Sequence, residues 1–206
     1  ISDLPGYSEP SFSVLSNAID SEYLNLAKDP EANREKLQAM VDEAAKAAGY
    51  KRKVWRGDSR KITEFSKDYL SDNFTSAAGF SFTTDLITAG QYGDPKQYFI
   101  DTKKTARFDY IEDRGVSSDR FGYDEEELAG LLGLDQIDTT DADALNEWWG
   151  TREVIRIDNI DDSSVSGTGE YNGDPERKAT LYIVRNPSQI KSADPVTYDE
   201  SGNVIP

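Results

Sequence analysis

Tyr-Lys-Arg-Lys-Val-Trp-Arg-Gly, residues 50–57, is the point at which the pattern of this sequence changes, because apolar or aromatic residues begin to alternate with basic ones. Alternation of this kind predicts a β-strand over residues 50–56, and Gly57-Asp58-Ser59 ends it. Helical spacing precedes the segment, and short strands with helical insertions follow it. This order of elements indicates an α+β fold.

Two helices are predicted before this strand. Residues 16–27 carry apolar side chains at helical spacing. The pair Asp29-Pro30 then predicts the N-cap and first position of a second helix, whose apolar stripe runs from Leu37 to Ala48. Gly49 supplies the stop signal of that helix.

Short elements are predicted beyond residue 57. The predicted strands are residues 79–84, 98–100, 106–111, 153–157 and 180–184. The predicted helices are residues 85–92, with Asp85 as the N-cap, 123–134 and 141–149. The segment 158–178 is rich in Asp, Ser and Gly, which predicts a loop.

The composition excludes several kinds of chemistry. The 206 residues contain no cysteine and no histidine, which rules out thiolate nucleophiles, imidazole bases and metal centres built on either side chain. A formal net charge of −16, from 39 acidic and 23 basic residues, makes nonspecific nucleic-acid binding unexpected. Residues 51–60 hold the only dense basic cluster.

The sequence also predicts no membrane partner and no metal site. No apolar run approaches the roughly 20 residues of a membrane span. Residues 1–6 lack the basic start and apolar core of a secretory signal peptide, so we expect no export by a signal of this kind. The acidic runs at 138–143 and 158–162 lack the spacing of a calcium-binding loop.

A distributed set of motifs remains. Val-Trp-Arg-Gly at 54–57 is followed by Gly-Phe-Ser-Phe-Thr-Thr-Asp at 79–85 and Ala-Gly-Gln-Tyr at 89–92. Tyr-Ile-Val-Arg-Asn-Pro-Ser-Gln-Ile-Lys-Ser at 182–192 and the tail through residue 206 complete the set. In order and spacing these motifs resemble the ADP-ribosyltransferase domains found in polyvalent proteins of phages and mobile elements. The resemblance covers residues 36–206, which leaves 1–35 as a flanking arm and the start of the helical segment.

The resemblance implies a fold and an activity. The fold is α+β, with two small packed sheets that form an NAD cleft and a helical N-terminal segment. The activity is mono-ADP-ribosyl transfer: the nicotinamide–ribose bond of NAD breaks through an oxocarbenium-like transition state, and ADP-ribose passes to a macromolecular acceptor. The implied setting is the cytoplasm of a bacterial host, with delivery by a phage or mobile element.

The resemblance also assigns residues. A chain without histidine cannot belong to the subclass whose first motif begins with His, so Arg56 and Ser81 indicate the Arg–Ser subclass. Arg56 is expected to bind a phosphate or ribose of NAD through its planar donors, and Ser81 to hold Arg56 and the catalytic acid by hydrogen bonds. The further NAD-binding residues that the resemblance implies are Gly57 by close backbone approach, Phe82, Thr83, Thr88, and Tyr92 by stacking on the nicotinamide.

One expected residue is missing. Leu181 occupies the position of the family's catalytic glutamate and cannot bind a ribose hydroxyl or stabilise positive charge. The candidates for that role are Glu153, Glu176 and Gln189, and we favour Glu153. Two other functions stay open: a catalytically inactive binding module of the same fold, which Leu181 favours, and a hydrolase with two carboxylates facing one cleft.

Overall fold

The computed structural model describes residues 12–59, 65–70, 74–110, 125–161, 178–198 and 201–205. Its helices are α1 (Phe12–Leu26), α2 (Arg34–Ala47), α3 (Phe74–Ala78), α4 (Leu86–Gln91), α5 (Glu125–Leu132) and α6 (Ala142–Trp149). Its strands are β1 (Arg52–Asp58), β2 (Phe80–Thr83), β3 (Asp94–Ile100), β4 (Thr105–Asp109), β5 (Val154–Asp161), β6 (Lys178–Val184), β7 (Ile190–Ser192), β8 (Thr197–Tyr198) and β9 (Val204–Ile205). Short 3₁₀ helices cover Lys67–Tyr69, Leu134–Gln136 and Pro187–Gln189.

The local signals in the sequence are confirmed where they depend on caps and stops. Asp85 accepts hydrogen bonds from the backbone N–H groups of Ile87 and Thr88 and so begins α4. Asp141 caps α6 in the same way. Gly49, with φ +90°, lies just beyond the end of α2 in a conformation that side chains with a Cβ rarely adopt.

The second predicted helix begins later than expected, at Arg34 instead of Pro30. The side-chain amide of Asn33 donates to the carbonyl oxygens of Leu26 (3.1 Å) and Asp29 (2.9 Å), and the Asp29 carboxylate accepts from Ala32 N–H. These bonds hold residues 27–33 as a turn. The predicted loop at 158–178 also begins late, because β5 continues to Asp161, and residues 162–177 lie outside the described ranges.

Seven strands form one mixed sheet in the order β4-β5-β6-β2-β1-β3-β7, and β8 and β9 pair as a separate sheet of two strands. The expected pair of small packed sheets is not confirmed by this arrangement. Only β4 and β5 are parallel among the neighbouring pairs of the seven-stranded sheet. Strands β1 and β2 share a single register pair, Trp55 with Thr83, whereas β1 and β3 share seven. The sheet therefore consists of two halves joined at one point, and the α+β class is confirmed.

Strand alternation places a separate apolar cluster on each face of this sheet. Ile155, Ile157, Leu181 and Ile183 pack with α5 and α6 on one face, where Trp149 is 2% exposed. The other face carries the second cluster, which consists of Val54, Phe80, Phe82, Tyr98, Ile100, Val154, Tyr182, Val184 and Ile190, with Phe65 and Leu70 packed against it.

The described residues belong to two compact units, one of residues 45–193 and one of residues 1–44 with 194–206. This division differs from the boundary at residue 35 that the sequence suggested. In the smaller unit, Tyr23, Ala27 and Leu37 pack with Val196 and Val204, so the tail belongs with the first helices. Among the described residues, no helix is long and apolar enough to cross a membrane.

Candidate functional site

Arg56 lies on β1 at the junction of the two sheet halves. Its Nε donates to Asp58 Oδ2 at 2.6 Å, and its Nη1 donates to the backbone oxygen of Ser81 at 2.9 Å. The guanidinium carbon lies 6.0 Å from the ring centroid of Phe65 and 5.9 Å from that of Phe82. Two charge-assisted hydrogen bonds and two ring contacts thus hold a side chain that is 24% exposed.

Asp58 is a site residue that the sequence analysis missed. It lies two residues after Arg56 on the same strand, so both side chains lie on the same face of the sheet. Its carboxylate is 20% exposed and forms an ion pair with Arg56. The sequence analysis ended this strand at Arg56, whereas β1 continues through Asp58, and the Arg-x-Asp spacing was the signal that could have identified the pair.

Ser81 acts through its backbone instead of the expected side-chain hydrogen bond. Phe80 and Phe82 point into the apolar cluster on the Arg56 face, so alternation places the Ser81 side chain on the opposite face, where its register partner is Ile183. The carbonyl of Ser81 lies in the plane of the sheet and reaches Arg56 Nη1. Phe82 itself is 1% exposed and packs against Phe65 and Tyr98.

Thr83 and Thr88 stabilise the start of α4. Thr83 Oγ1 accepts from the backbone N–H of Asp85 at 3.1 Å. The Thr88 hydroxyl, in a residue only 3% exposed, donates to Asp85 Oδ2 at 2.8 Å. Both side chains therefore bind the N-cap of α4, which fixes this helix relative to the end of β2.

Gly57 lets α4 approach β1 closely. A Cβ at residue 57 would lie 1.8 Å from the carbonyl oxygen of Ala89 and 3.2 Å from the backbone nitrogen of Gly93. The space that the sequence analysis assigned to a ligand thus contains the backbone of α4. Tyr92, the C-cap of α4, is 57% exposed at this edge. Strands β1 and β2 and helix α4 therefore pack together, but α4 lies on the face of Gly57, opposite the side chain of Arg56.

The predicted catalytic residues of the second half lie elsewhere. Glu153 precedes β5 and forms an ion pair with Lys104. Three strand spacings separate β5 from β1, which corresponds to about 14 Å across the sheet. Leu181 faces the apolar cluster beside α5 and α6, and Glu176 lies outside the described ranges.

Gln189 is buried in the 3₁₀ helix that follows β6. Its Oε1 accepts from the backbone N–H of Asn186 at 3.1 Å, which completes a capping box. Its Nε2 has no hydrogen bond to a described residue. The side chain is 6% exposed, so its carbonyl oxygen has a structural role in this short helix.

The face of the sheet around Arg56 carries charges of both signs: Asp58 pairs with Arg56, and Asp94 is the register partner of Asp58. Lys96 on β3 is the direct register partner of Arg56, so the two side chains extend from the same face. Lys53 lies on the opposite face, with its ammonium 4.9 Å from the ring centroid of Phe99. Arg56 and Lys96 are thus the two neighbouring cations on this face of β1 and β3 that an anionic group such as a phosphate could contact.

Comparisons of this chain with family models, curated proteins and solved structures find no match.

Proposed function

We propose that this chain binds NAD at the junction of the two sheet halves and transfers its ADP-ribose to a macromolecular acceptor. The observation that carries the proposal is the position of Arg56, which Asp58 and the Ser81 carbonyl hold near the end of β1. The backbone of Gly93, next to the exposed Tyr92, lies against Asp58 at this end of the strand. An arginine in the first motif and a serine in the second, on paired strands, agree with the resemblance to ADP-ribosyltransferases.

The chemistry follows from the groups at this junction. Arg56 and Lys96 supply positive charge for the diphosphate of NAD, and the exposed ring of Tyr92 offers a face for the nicotinamide. The bond between nicotinamide and the ribose anomeric carbon breaks, and nicotinamide leaves with the bonding electrons. The acceptor's nucleophile then bonds to that carbon and loses its proton to solvent.

Positive charge develops on the ribose in this reaction and requires a carboxylate. We assign this role to Asp58, because it is the described carboxylate that contacts Arg56. Glu153, the candidate favoured from the sequence, forms an ion pair with Lys104 on the other side of β6 and β2. A carboxylate fixed beside Arg56 also holds the guanidinium in one orientation, so Asp58 has a positioning effect as well.

Binding is tested by titrating NAD into the wild type and Arg56→Ala in a calorimeter. Loss of charge-assisted bonds costs about 1.5–3 kcal/mol, so affinity should fall about tenfold to a hundredfold. Arg156→Ala is the matched control, because Arg156 also donates to an aspartate two residues on, at 2.8 Å, and is 25% exposed. Equal affinities for NAD in the wild type and Arg56→Ala would place the ligand elsewhere.

Catalysis is tested by chromatographic measurement of nicotinamide release. Asp58→Asn should lower the rate by orders of magnitude, while Glu153→Gln should leave it close to the wild-type rate. The reverse result would return the catalytic role to Glu153. Urea unfolding of both variants provides the control for folding.

A catalytically inactive NAD-binding module is the second candidate. Leu181 supports it, because an apolar side chain packed beside α5 and α6 stands at the position where the family has its glutamate. For such a module, NAD should bind with Arg56 dependence and nicotinamide should not be released. Binding and release together therefore separate the two candidates.

A further inference from the structure

Two neighbouring arginines of this acidic chain have no carboxylate partner among the described residues. Arg56 pairs with Asp58, and Arg107 and Arg156 both pair with Asp158. Arg152 and Arg185 are half-buried and hydrogen-bond only to backbone oxygens and to Asn146 within the described part of the chain.

Both arginines surround the C-terminal end of α6. Arg152 Nε donates to the carbonyl of Trp149 at 3.1 Å, and its guanidinium lies 4.8 Å from the ring centroid of Trp148. Arg185 Nη1 donates to the carbonyls of Gly150 (3.3 Å) and Arg152 (3.5 Å), and Nη2 donates to Asn146 Oδ1 at 2.9 Å. The carbonyls at a helix C-terminus carry partial negative charge, which explains why the cations are tolerated there but leaves their full charge unneutralised.

Donors remain available at this end of α6. Both Nη atoms of Arg152 make no hydrogen bond to a described residue. Burial lowers the pKa of Arg152. A bound anion would offset the cost of burying this guanidinium.

We propose that Arg152 and Arg185 form a binding site for the phosphate group of a small phosphorylated ligand. Planar guanidinium donors match a doubly charged tetrahedral anion, and the indole of Trp148 forms the wall beneath Arg152. A small ligand is favoured over a polynucleotide, because the net charge of −16 repels an extended polyanion.

This phosphate site is distinct from the candidate NAD site. Arg185 follows the C-terminal end of β6, and its backbone N–H donates to the carbonyl of Glu153. Arg56 lies on β1, two strand spacings away from β6, which corresponds to about 10 Å across the sheet. The proposal does not depend on NAD binding or on catalysis.

Inorganic phosphate and glycerol 3-phosphate are the probes, titrated at constant ionic strength in a calorimeter, with the fluorescence of Trp148 as a second signal. Saturable binding should occur in the millimolar range or below and should weaken about tenfold or more in Arg152→Met, whose side chain preserves the packing over the indole. Tighter binding of glycerol 3-phosphate would identify a phosphomonoester as the ligand, and equal binding would identify free phosphate.

The control variant is Arg107→Met, which removes an exposed arginine that Asp158 already pairs and should leave phosphate affinity unchanged. Arg152→Lys keeps the positive charge but removes both Nη donors, and it should weaken phosphate binding even if Arg152→Met unfolds. Absence of saturable binding to the wild type, or equal affinity in all variants, would overturn the proposal. Arg56→Ala should bind phosphate normally whether or not it binds NAD.

Discussion

Substitution of Gly57 by alanine tests how closely α4 approaches β1. The new Cβ would lie 1.8 Å from the carbonyl oxygen of Ala89. An ordinary carbon–oxygen contact is about 3.3 Å, so the backbone of α4 or β1 must move by about 1.5 Å. Since the clash is with backbone and not with the end of a flexible side chain, rotamer changes cannot relieve it.

The expected cost is about 2–3 kcal/mol of unfolding free energy. Overpacking costs about 1–3 kcal/mol, and a clash with backbone belongs at the upper end. Replacing a glycine inside a strand returns about 0.5–1 kcal/mol at most, because the unfolded chain loses freedom. The φ angle of Gly57 is not positive, so alanine adds no conformational strain.

Gly90 provides the control on the same helix. Nothing lies within 4 Å of a Cβ built on Gly90, and the residue is exposed inside α4. Gly90→Ala should therefore raise the unfolding free energy by about 0.5–1 kcal/mol through helix propensity alone. Urea unfolding monitored by tryptophan fluorescence measures both variants. Wild-type stability of Gly57→Ala, or equal losses in the two variants, would refute the close approach.

Two further predictions concern polar groups that stabilise the larger unit. Burial raises the pKa of Asp158, but hydrogen bonds from Arg107, Arg156 and Thr180 outweigh this effect and place the pKa below its ordinary value. The ionised carboxylate therefore stabilises the fold above about pH 4, and this stabilisation is lost as the pH falls. Asp158→Asn should be less stable than wild type at pH 7 in urea unfolding, with a difference that shrinks below about pH 4; a constant difference would contradict the ion pairs. Trp149→Phe removes a buried hydrogen bond of 3.0 Å to the carbonyl of Ala78. The substitution should lower the free energy of unfolding by about 1–3 kcal/mol in the same measurement. If Trp55→Phe lowers it as much, the hydrogen bond of Trp149 does not stabilise the fold.

Local sequence signals predicted most of the helices and strands, because their physical causes lie within a few residues. Asp85 and Asp141 cap helices through their own side chains and the next backbone N–H groups. Gly49 ends α2 because it can adopt a positive φ. Alternation predicted a strand over residues 50–56, and β1 begins and ends two residues later, at Arg52 and Asp58. The late start of α2 escaped prediction, because Asn33 hydrogen-bonds back to the last turn of α1.

The candidate site was predicted only in part, because some of its contacts join residues that lie far apart in the sequence. Arg56 and its motif partners could be named from order and spacing, whereas Asp58 required knowing that β1 continues past Arg56 and presents both side chains on one face. Glu153 was favoured because it stands at the start of a predicted strand, as the catalytic glutamate of the family does. Its ion-pair partner Lys104 is 49 residues away in sequence. A pairing over that separation leaves no mark in the residues around either member.

The sequence by itself determined the kinds of chemistry available to this protein: without histidine or cysteine, its side chains can act as carboxylates, hydroxyls and cations. It also determined the local elements, since caps, stops and alternation act over short distances. The tertiary structure alone decided which groups meet, because strand order joins segments such as β2 and β6 that lie about a hundred residues apart. That order placed Arg56 against Ser81, the Ala89 carbonyl against Gly57, and Glu153 beside Lys104.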